Sequence, residues 1–215
     1  MPLPHSTSSY IILPQKESKL ENYRTEPVPD PSTPKKGRSG PVRIIIDIAE
    51  TLLLSILLFI AINAVSARIR VDGFSMEPSM QSGEFVVVNK LAYVFGQPEL
   101  GDVIVFQYPR DPEQEYIKRV IGTPGDQVMI TEGQVFVNGE LIDEPYIAAP
   151  PVYQSERTVP DNALFVLGDN RNNSSDSHTW GSVPMEYVIG KAFFVYWPPE
   201  RWGLIGHTAA ASPYP

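Results

Sequence analysis

The sequence predicts a mainly β domain preceded by one transmembrane helix. Two observations predict this fold class. One apolar run covers residues 44–65, and the later sequence consists of short runs rich in valine and aromatic residues, separated by Gly, Pro, Asn and Asp. The 215 residues suffice for one compact domain with additional segments.

Residues 1–43 are rich in Pro, Ser and charged residues, which predicts a disordered, Pro-rich cytoplasmic arm. Basic residues outnumber acidic ones before the apolar run, whereas acidic residues predominate from residue 66 onward. The positive-inside tendency therefore places the N-terminus in the cytoplasm and residues 66–215 on the outer side. The acidic body argues against a nucleic-acid partner.

Residues 44–65 would form a helix of roughly 33 Å, long enough to cross a bilayer. Asp47 and Glu50 fall in its first two turns, where their carboxylates can reach the headgroup layer. Two alternatives are a buried amphipathic helix and a cleavable signal peptide ending near Ala67. The long preceding segment disfavours the signal peptide.

Beyond residue 65, alternation of apolar and polar residues predicts β-strands, bounded by turn-forming residues. Asn138-Gly139 lies between residues 135–137 and residues 140–142 and predicts a two-residue hairpin. The expected strands cover residues 84–89, 102–108, 116–121, 127–131, 134–137, 163–167 and 191–197.

Two residues suggest a nucleophile and its base. Ser75 lies between Gly73 and Pro78, which predicts an exposed turn. Lys118 shares a strand face with Tyr116, where burial would lower the pKa of its amine enough to make it a base. The alternatives are a capping or loop serine and a solvated lysine.

The chemistry available to this chain is restricted by its composition. There is no cysteine, which excludes a thiol nucleophile, a disulfide framework and a thiolate zinc site. The three histidines lack metal-ligand spacing, so we expect neither a metal nor a cofactor. A polar loop at 168–181 predicts the hydrogen-bonded floor of a site; a solvated loop or a calcium loop using Asp169 and Asp176 are alternatives.

Four segments together resemble the sequence boxes of type I signal peptidases, from the apolar run to about residue 197. They are residues 73–80, 101–106, 116–126 and 168–181. The resemblance implies a signal-peptidase-like β-sheet catalytic domain at 66–215, with a small accessory region at about 127–167.

The resemblance also implies roles for individual residues. Ser75 would be the nucleophile and Lys118 the general base, with Ser174 hydrogen-bonding the lysine. Arg119 and Asp169 would pair behind the site, and Asp176 would be a structural acid. Shallow pockets for small side chains at the −1 and −3 substrate positions would be lined by Ile69, Val71, Tyr116 and Ile117.

The implied substrates are pre-proteins bearing signal peptides, cleaved after small residues at a bacterial-type plasma or thylakoid membrane. Membrane lipid and the secretion machinery would be neighbours. Two residues depart from the family pattern: Gly73 replaces a second oxyanion donor found in some members, and His178 stands where an arginine often pairs with Asp176.

Two rival functions stay open from the sequence. One is a self-cleaving Ser-Lys repressor of related fold, although a membrane helix and a Pro-rich arm stand where its DNA-binding domain would be. The other is a catalytically inert, membrane-anchored β-rich ectodomain that acts as a binding or scaffold protein.

Overall fold

A computed structural model describes residues 40–206, and helix α1 (Pro41–Val65) comes first. The predicted arm at residues 1–39 and the last nine residues lie outside this range. The prediction that the arm reaches residue 43 was wrong, since the helix already begins at Pro41, whose fixed φ suits a first helical position.

Every residue of α1 is at least partly exposed, and α1 is the one helix within residues 40–206 that is long and apolar enough to cross a membrane. This exposure contradicts the alternative of a buried core helix. Exposed apolar side chains all around a helix are expected when lipid replaces water.

The part of the chain after α1 is mainly β, which confirms the predicted fold class. Short α-helix α2 covers Ser177–Trp180. The strands are β1 (Ser66–Arg70), β2 (Phe85–Asn89), β3 (Val103–Tyr108), β4 (Asp111–Gly122), β5 (Gln127–Thr131), β6 (Gln134–Val137), β7 (Glu140–Leu141), β8 (Ser155–Thr158), β9 (Ala163–Leu167), β10 (Val183–Pro184), β11 (Val188–Trp197) and β12 (Gly203–Leu204).

The strands form two antiparallel sheets. The larger has the order β1-β2-β11-β3-β4-β9-β10, with β12 paired to β11, and the smaller has the order β7-β6-β5-β8. All seven expected strands are present. The structure adds β1, β7, β8, β10 and β12, of which β7, β10 and β12 have only two residues each and are too short to carry an alternating pattern.

The smaller sheet lies within residues 127–167, where the accessory region is predicted, and stops short of the end of that range. It ends with β8 at Thr158, because β9 pairs with β4 in the larger sheet, with Arg119 opposite Leu167. The predicted hairpin joins β6 to β7, and Asn138 and Gly139 both have positive φ, as a type I′ turn requires.

Three buried clusters form the core. One packs β1, β2, β3 and β11 against Met76 and Met80 of the segment that contains Ser75. A second joins the two sheets through residues such as Val128 and Phe165. The third includes Phe106 and lies against the aromatic residues near Lys118. Strand β4 contributes to all three, so its second half is buried on both faces.

Candidate active site

The predicted nucleophile and base lie in direct contact. Lys118 on β4 donates a hydrogen bond from Nζ to Ser75 Oγ at 2.7 Å, and a second to the carbonyl of Ile117 at 3.0 Å. The serine and the lysine are 43 residues apart in the chain. A hydroxyl and an amine at this distance can exchange a proton directly.

Burial makes Lys118 suitable for accepting a proton. The residue is only 4% exposed, and its Nζ lies 5.3 Å from the ring centroid of Tyr116. Removal from water lowers the pKa of Lys118 to about 8, whereas the negative charges of Asp176 and Asp169 act in the opposite direction. The amine is therefore substantially neutral near pH 8.

The aromatic wall beside the lysine explains part of this desolvation. The ring of Tyr116 stacks on Tyr108 at 4.6 Å between centroids and meets the edge of Phe106. Trp180 of α2 packs against both Tyr108 and Phe106. Tyr116 and Val120 belong to this cluster, whereas Ile117 packs in the cluster that contains Met76. Alternate residues of β4 therefore face opposite sides of the sheet, as predicted.

Ser75 lies in a turn, as predicted, and its neighbours hold that turn in place. Met76 and Met80 are both 1% exposed and anchor the segment in the core. Asn170 clamps the other side, because its backbone N–H donates to the Ser75 carbonyl at 3.0 Å and its side-chain amide donates to the Phe74 carbonyl at 3.1 Å. No sequence signal distinguishes Asn170 from the other polar residues of the loop at 168–181.

The loop backbone approaches the Ser75 turn most closely at Gly168. A Cβ atom there would lie 2.2 Å from Ser174 Oγ and 2.4 Å from the Ser75 carbonyl oxygen, which is closer than van der Waals contact permits. Glycine is needed at this position because nothing larger fits between the loop and the turn.

Ser174 does not make the predicted hydrogen bond to Lys118. Its Oγ is buried without a hydrogen-bond partner, although it packs against Gly168 beside the Ser75 turn. The hydrogen bonds of the Lys118 ammonium go to Ser75 Oγ and the Ile117 carbonyl instead. Ser174 therefore has an unused hydrogen-bond donor beside the Ser75 turn. Leaving a buried hydroxyl unpaired in this way costs free energy.

Arg119 and Asp169 pair behind the site. Arg119 donates from Nε and Nη2 to the two carboxylate oxygens of Asp169 at 2.8 and 2.7 Å, and both side chains are almost fully buried. Its Nη1 donates to the carbonyls of Gly101 and Gly206. Because β4 carries Lys118 and Arg119 consecutively, this pair ties the strand that contains Lys118 to the polar loop.

Asp176 is fully buried and organises the start of α2. One carboxylate oxygen accepts the Gly168 N–H at 3.0 Å, and the other accepts the His178 N–H at 3.2 Å and lies 2.5 Å from His178 Nδ1. Since protein donors occupy both Asp169 and Asp176, the calcium-loop alternative is contradicted.

A segment that the sequence did not highlight, residues 143–153, braces the polar loop. Glu144 accepts two hydrogen bonds from Arg171, at 2.7 and 2.5 Å. The buried ring of Tyr146 lies 4.0 Å from the Arg119 guanidinium. Neither residue stands in a recognisable motif, so no sequence signal could have identified them.

The four predicted pocket residues divide into two groups. Ile69, Val71 and Ile117 belong to one apolar cluster that also contains Met76, next to the nucleophile. Tyr116 packs against a different cluster, the one that contains Phe106, and lies beside the amine of Lys118.

Comparisons with known proteins agree on one family. A model of the family described as signal peptidase, peptidase S26, matches residues 45–197. The chain is 42% identical over 181 residues to "Probable signal peptidase I-2" of Synechocystis sp., covering 80% of this chain and 83% of that protein. It is also 37% identical over 150 residues to "Thylakoidal processing peptidase 1, chloroplastic" of Arabidopsis thaliana, covering 65% of this chain and 44% of that protein.

Among solved structures, a signal peptidase I from Enterococcus faecalis V583 matches with 32% sequence identity and a TM-score of 0.42. The match covers 45% of this chain and 97% of that chain.

Proposed function

Because this chain belongs to the signal peptidase family, peptidase S26, we propose that it removes N-terminal signal peptides from pre-proteins with Ser75 as nucleophile and Lys118 as general base. The observation that carries this proposal is the 2.7 Å contact between Ser75 Oγ and a buried lysine whose pKa is lowered to about 8. An amine that is partly neutral near physiological pH can take a proton from a hydroxyl that it touches.

In the proposed reaction, neutral Lys118 accepts the proton of Ser75 while Oγ attacks the scissile carbonyl. The tetrahedral intermediate collapses to an ester between Ser75 and the signal peptide, and Lys118 gives its proton to the leaving amine of the mature chain. A water molecule then loses a proton to Lys118 while its oxygen attacks the ester carbonyl. The bond to Ser75 Oγ breaks, Lys118 returns the proton to Oγ, and the signal peptide leaves with a new carboxyl terminus.

The oxyanion would be stabilised in part by the backbone N–H of Ser75, which makes no hydrogen bond within residues 40–206. The N–H of Gly73 donates to Ser82 Oγ at 3.3 Å. With no side chain at position 73, a second oxyanion donor would have to come from another backbone or side-chain group.

We further propose that specificity comes from the apolar surface beside the nucleophile. Ile69, Val71 and Ile117 would form the floor against which small substrate side chains pack, and Tyr116 would limit the space beside the lysine. A shallow floor rejects large residues by overlap, so we expect cleavage after alanine-like residues at −1 and −3.

Helix α1 would anchor the enzyme with its catalytic domain on the outer side of a bacterial-type plasma or thylakoid membrane, close to the secretion machinery and the lipid surface. Ser75 follows the last helical residue, Val65, by only ten positions. Holding enzyme and signal peptide in one membrane raises their effective concentration.

The test is cleavage of a signal-bearing pre-protein by the full chain reconstituted in liposomes, with N-terminal sequencing of the product. We expect Ser75→Ala and Lys118→Arg to abolish cleavage, the latter because a guanidinium does not deprotonate in proteins. Matched controls are Ser79→Ala in the same segment and Lys90→Arg at an exposed position, and both should retain activity.

Four outcomes would overturn the proposal. Cleavage by Lys118→Arg would reject the base assignment, and cleavage by Ser75→Ala would reject the nucleophile. Absence of cleavage by the wild-type chain would favour the inert ectodomain, whereas cleavage of its own chain alone would favour the self-cleaving alternative.

A further inference from the structure

His178 occupies an unusual position at the edge of the candidate site. Its Nδ1 lies 2.5 Å from an oxygen of Asp176, and its ring stacks on Tyr153 with centroids 3.8 Å apart and planes 12° apart. The imidazole is 17% exposed whereas the carboxylate is fully buried. The ring is therefore held in a fixed orientation while it keeps access to solvent for proton exchange.

Asp176 connects this ring to the dyad in two ways. Its second oxygen accepts the N–H of Gly168, the residue whose backbone packs against the Ser75 carbonyl. Its negative charge also acts on Lys118, where it is the largest influence that favours the protonated amine. A change in the charge or position of the Asp176 carboxylate can thus alter both the position of Ser75 and the proton affinity of Lys118.

The groups that face His178 are few. From its own helix, α2, the partner is the N-cap residue Asp176. From the bracing segment 143–153, the partner is Tyr153, whose own pKa is raised by burial and by Asp176. Arg171 and Glu144 also act on Tyr153, but they form an ion pair with each other, so their charges largely cancel at the ring.

We propose that His178 is a positioning residue that acts on the catalytic lysine through Asp176, so that the charge of the side chain at position 178 sets how far activity extends to the acidic side of neutrality. This inference rests on the proposed function, since it concerns the same dyad.

The direction of the effect follows from electrostatics. A positive ring beside Asp176 compensates the carboxylate, which then favours the Lys118 ammonium less, so a larger fraction of the amine is neutral and able to act as base. A neutral ring leaves the carboxylate uncompensated. Arginine at this position stays charged and glutamine stays neutral at every pH tested.

The experiment compares the pH profile of kcat/KM for full-length wild type, His178→Gln and His178→Arg in liposomes, using one pre-protein between pH 5.5 and 9.5. Glutamine keeps a hydrogen-bond donor for Asp176 without the charge. We expect equal rates for all three at pH 9.5. At pH 6 we expect His178→Gln to be about tenfold slower than His178→Arg, because a difference of one pKa unit for Lys118 changes the rate on the acid limb tenfold. The rate of wild type should lie within the range that these two variants set.

Tyr153→Phe serves as the matched control, because it keeps the ring that stacks on the histidine and should leave the profile unchanged. Superimposable profiles for the three forms, or a loss of rate in His178→Gln that is the same at every pH, would overturn the inference and leave His178 with a structural role alone. Failure of the proposed function is distinguished from this result, because then wild type would cleave at no pH.

Discussion

Replacing Lys118 with methionine should stabilise the fold at neutral pH while removing the proposed base. Folding lowers the pKa of this amine from 10.5 to about 8 because of burial. At about 1.4 kcal/mol per pKa unit, keeping the ammonium in its buried position costs about 3 kcal/mol. Methionine has a similar length and no charge, so it removes that cost.

The pH dependence of the stability gained by Lys118→Met follows from the lowered pKa of Lys118 in the folded protein. A lysine whose pKa is lowered on folding destabilises the folded state fully below pH 8, progressively less between pH 8 and 10.5, and not at all above. The advantage of Lys118→Met over wild type should therefore shrink by about 2 kcal/mol between pH 6.5 and 9.5. Losses that do not depend on pH, such as the hydrogen bond to Ser75 Oγ, cancel in this difference.

The assay is urea unfolding of the full chain in detergent micelles at both pH values, followed by tryptophan fluorescence. Lys90→Met is the matched control, because Lys90 is exposed and should show no such change between the two pH values. If the free-energy difference between Lys118→Met and wild type is the same at pH 6.5 and 9.5, the amine is not desolvated in the folded protein, and the argument for a neutral base fails.

Two further predictions concern activity. The kcat/KM of wild type should fall below about pH 8, approaching tenfold per pH unit, because the amine of Lys118 becomes protonated; a profile that stays flat down to pH 6 would contradict a lysine base. Gly168→Ala should reduce kcat at least about tenfold, because the added methyl group would lie 2.4 Å from the Ser75 carbonyl oxygen and must displace the turn that presents the nucleophile.

Gly203→Ala is the control for the glycine substitution. Gly203 has an ordinary φ, and the nearest atom to an added Cβ is 3.9 Å away, so this change should leave kcat unaltered. A normal kcat in Gly168→Ala, measured on the pre-protein in liposomes, would show that the contact between loop and turn does not position Ser75.

The strands that the sequence predicts are those whose own residues carry the pattern. The runs in β5 and β6 each contain three consecutive apolar residues that follow a Gln, and the turn between β6 and β7 carries the Asn-Gly pair that a type I′ turn favours. Strand β8, Ser-Glu-Arg-Thr, has no alternation and forms because β5 offers it an edge to pair with.

The same distinction applies to the candidate site. Ser75 and Lys118 could be named from the sequence, because the surrounding segments resemble a known family. Asn170 and Tyr146 could not, because their contacts join segments that are distant in the chain and require no local motif. The predicted hydrogen bond between Ser174 and Lys118 was wrong, because Ser174 Oγ has no hydrogen-bond partner. Family resemblance identifies the residue type at a position but not the atom to which its side chain hydrogen-bonds.

The sequence by itself determined the membrane-spanning length of one apolar helix, the mainly β character of the rest, and the absence of thiol chemistry, because length, periodicity and composition are local properties. The tertiary structure alone decided that the amine of Lys118 is withdrawn from water, that it lies 2.7 Å from a hydroxyl 43 residues away, and that a histidine faces the carboxylate acting on it. Proton affinity depends on the dielectric surroundings and charges that folding assembles, and no stretch of chain carries that information on its own.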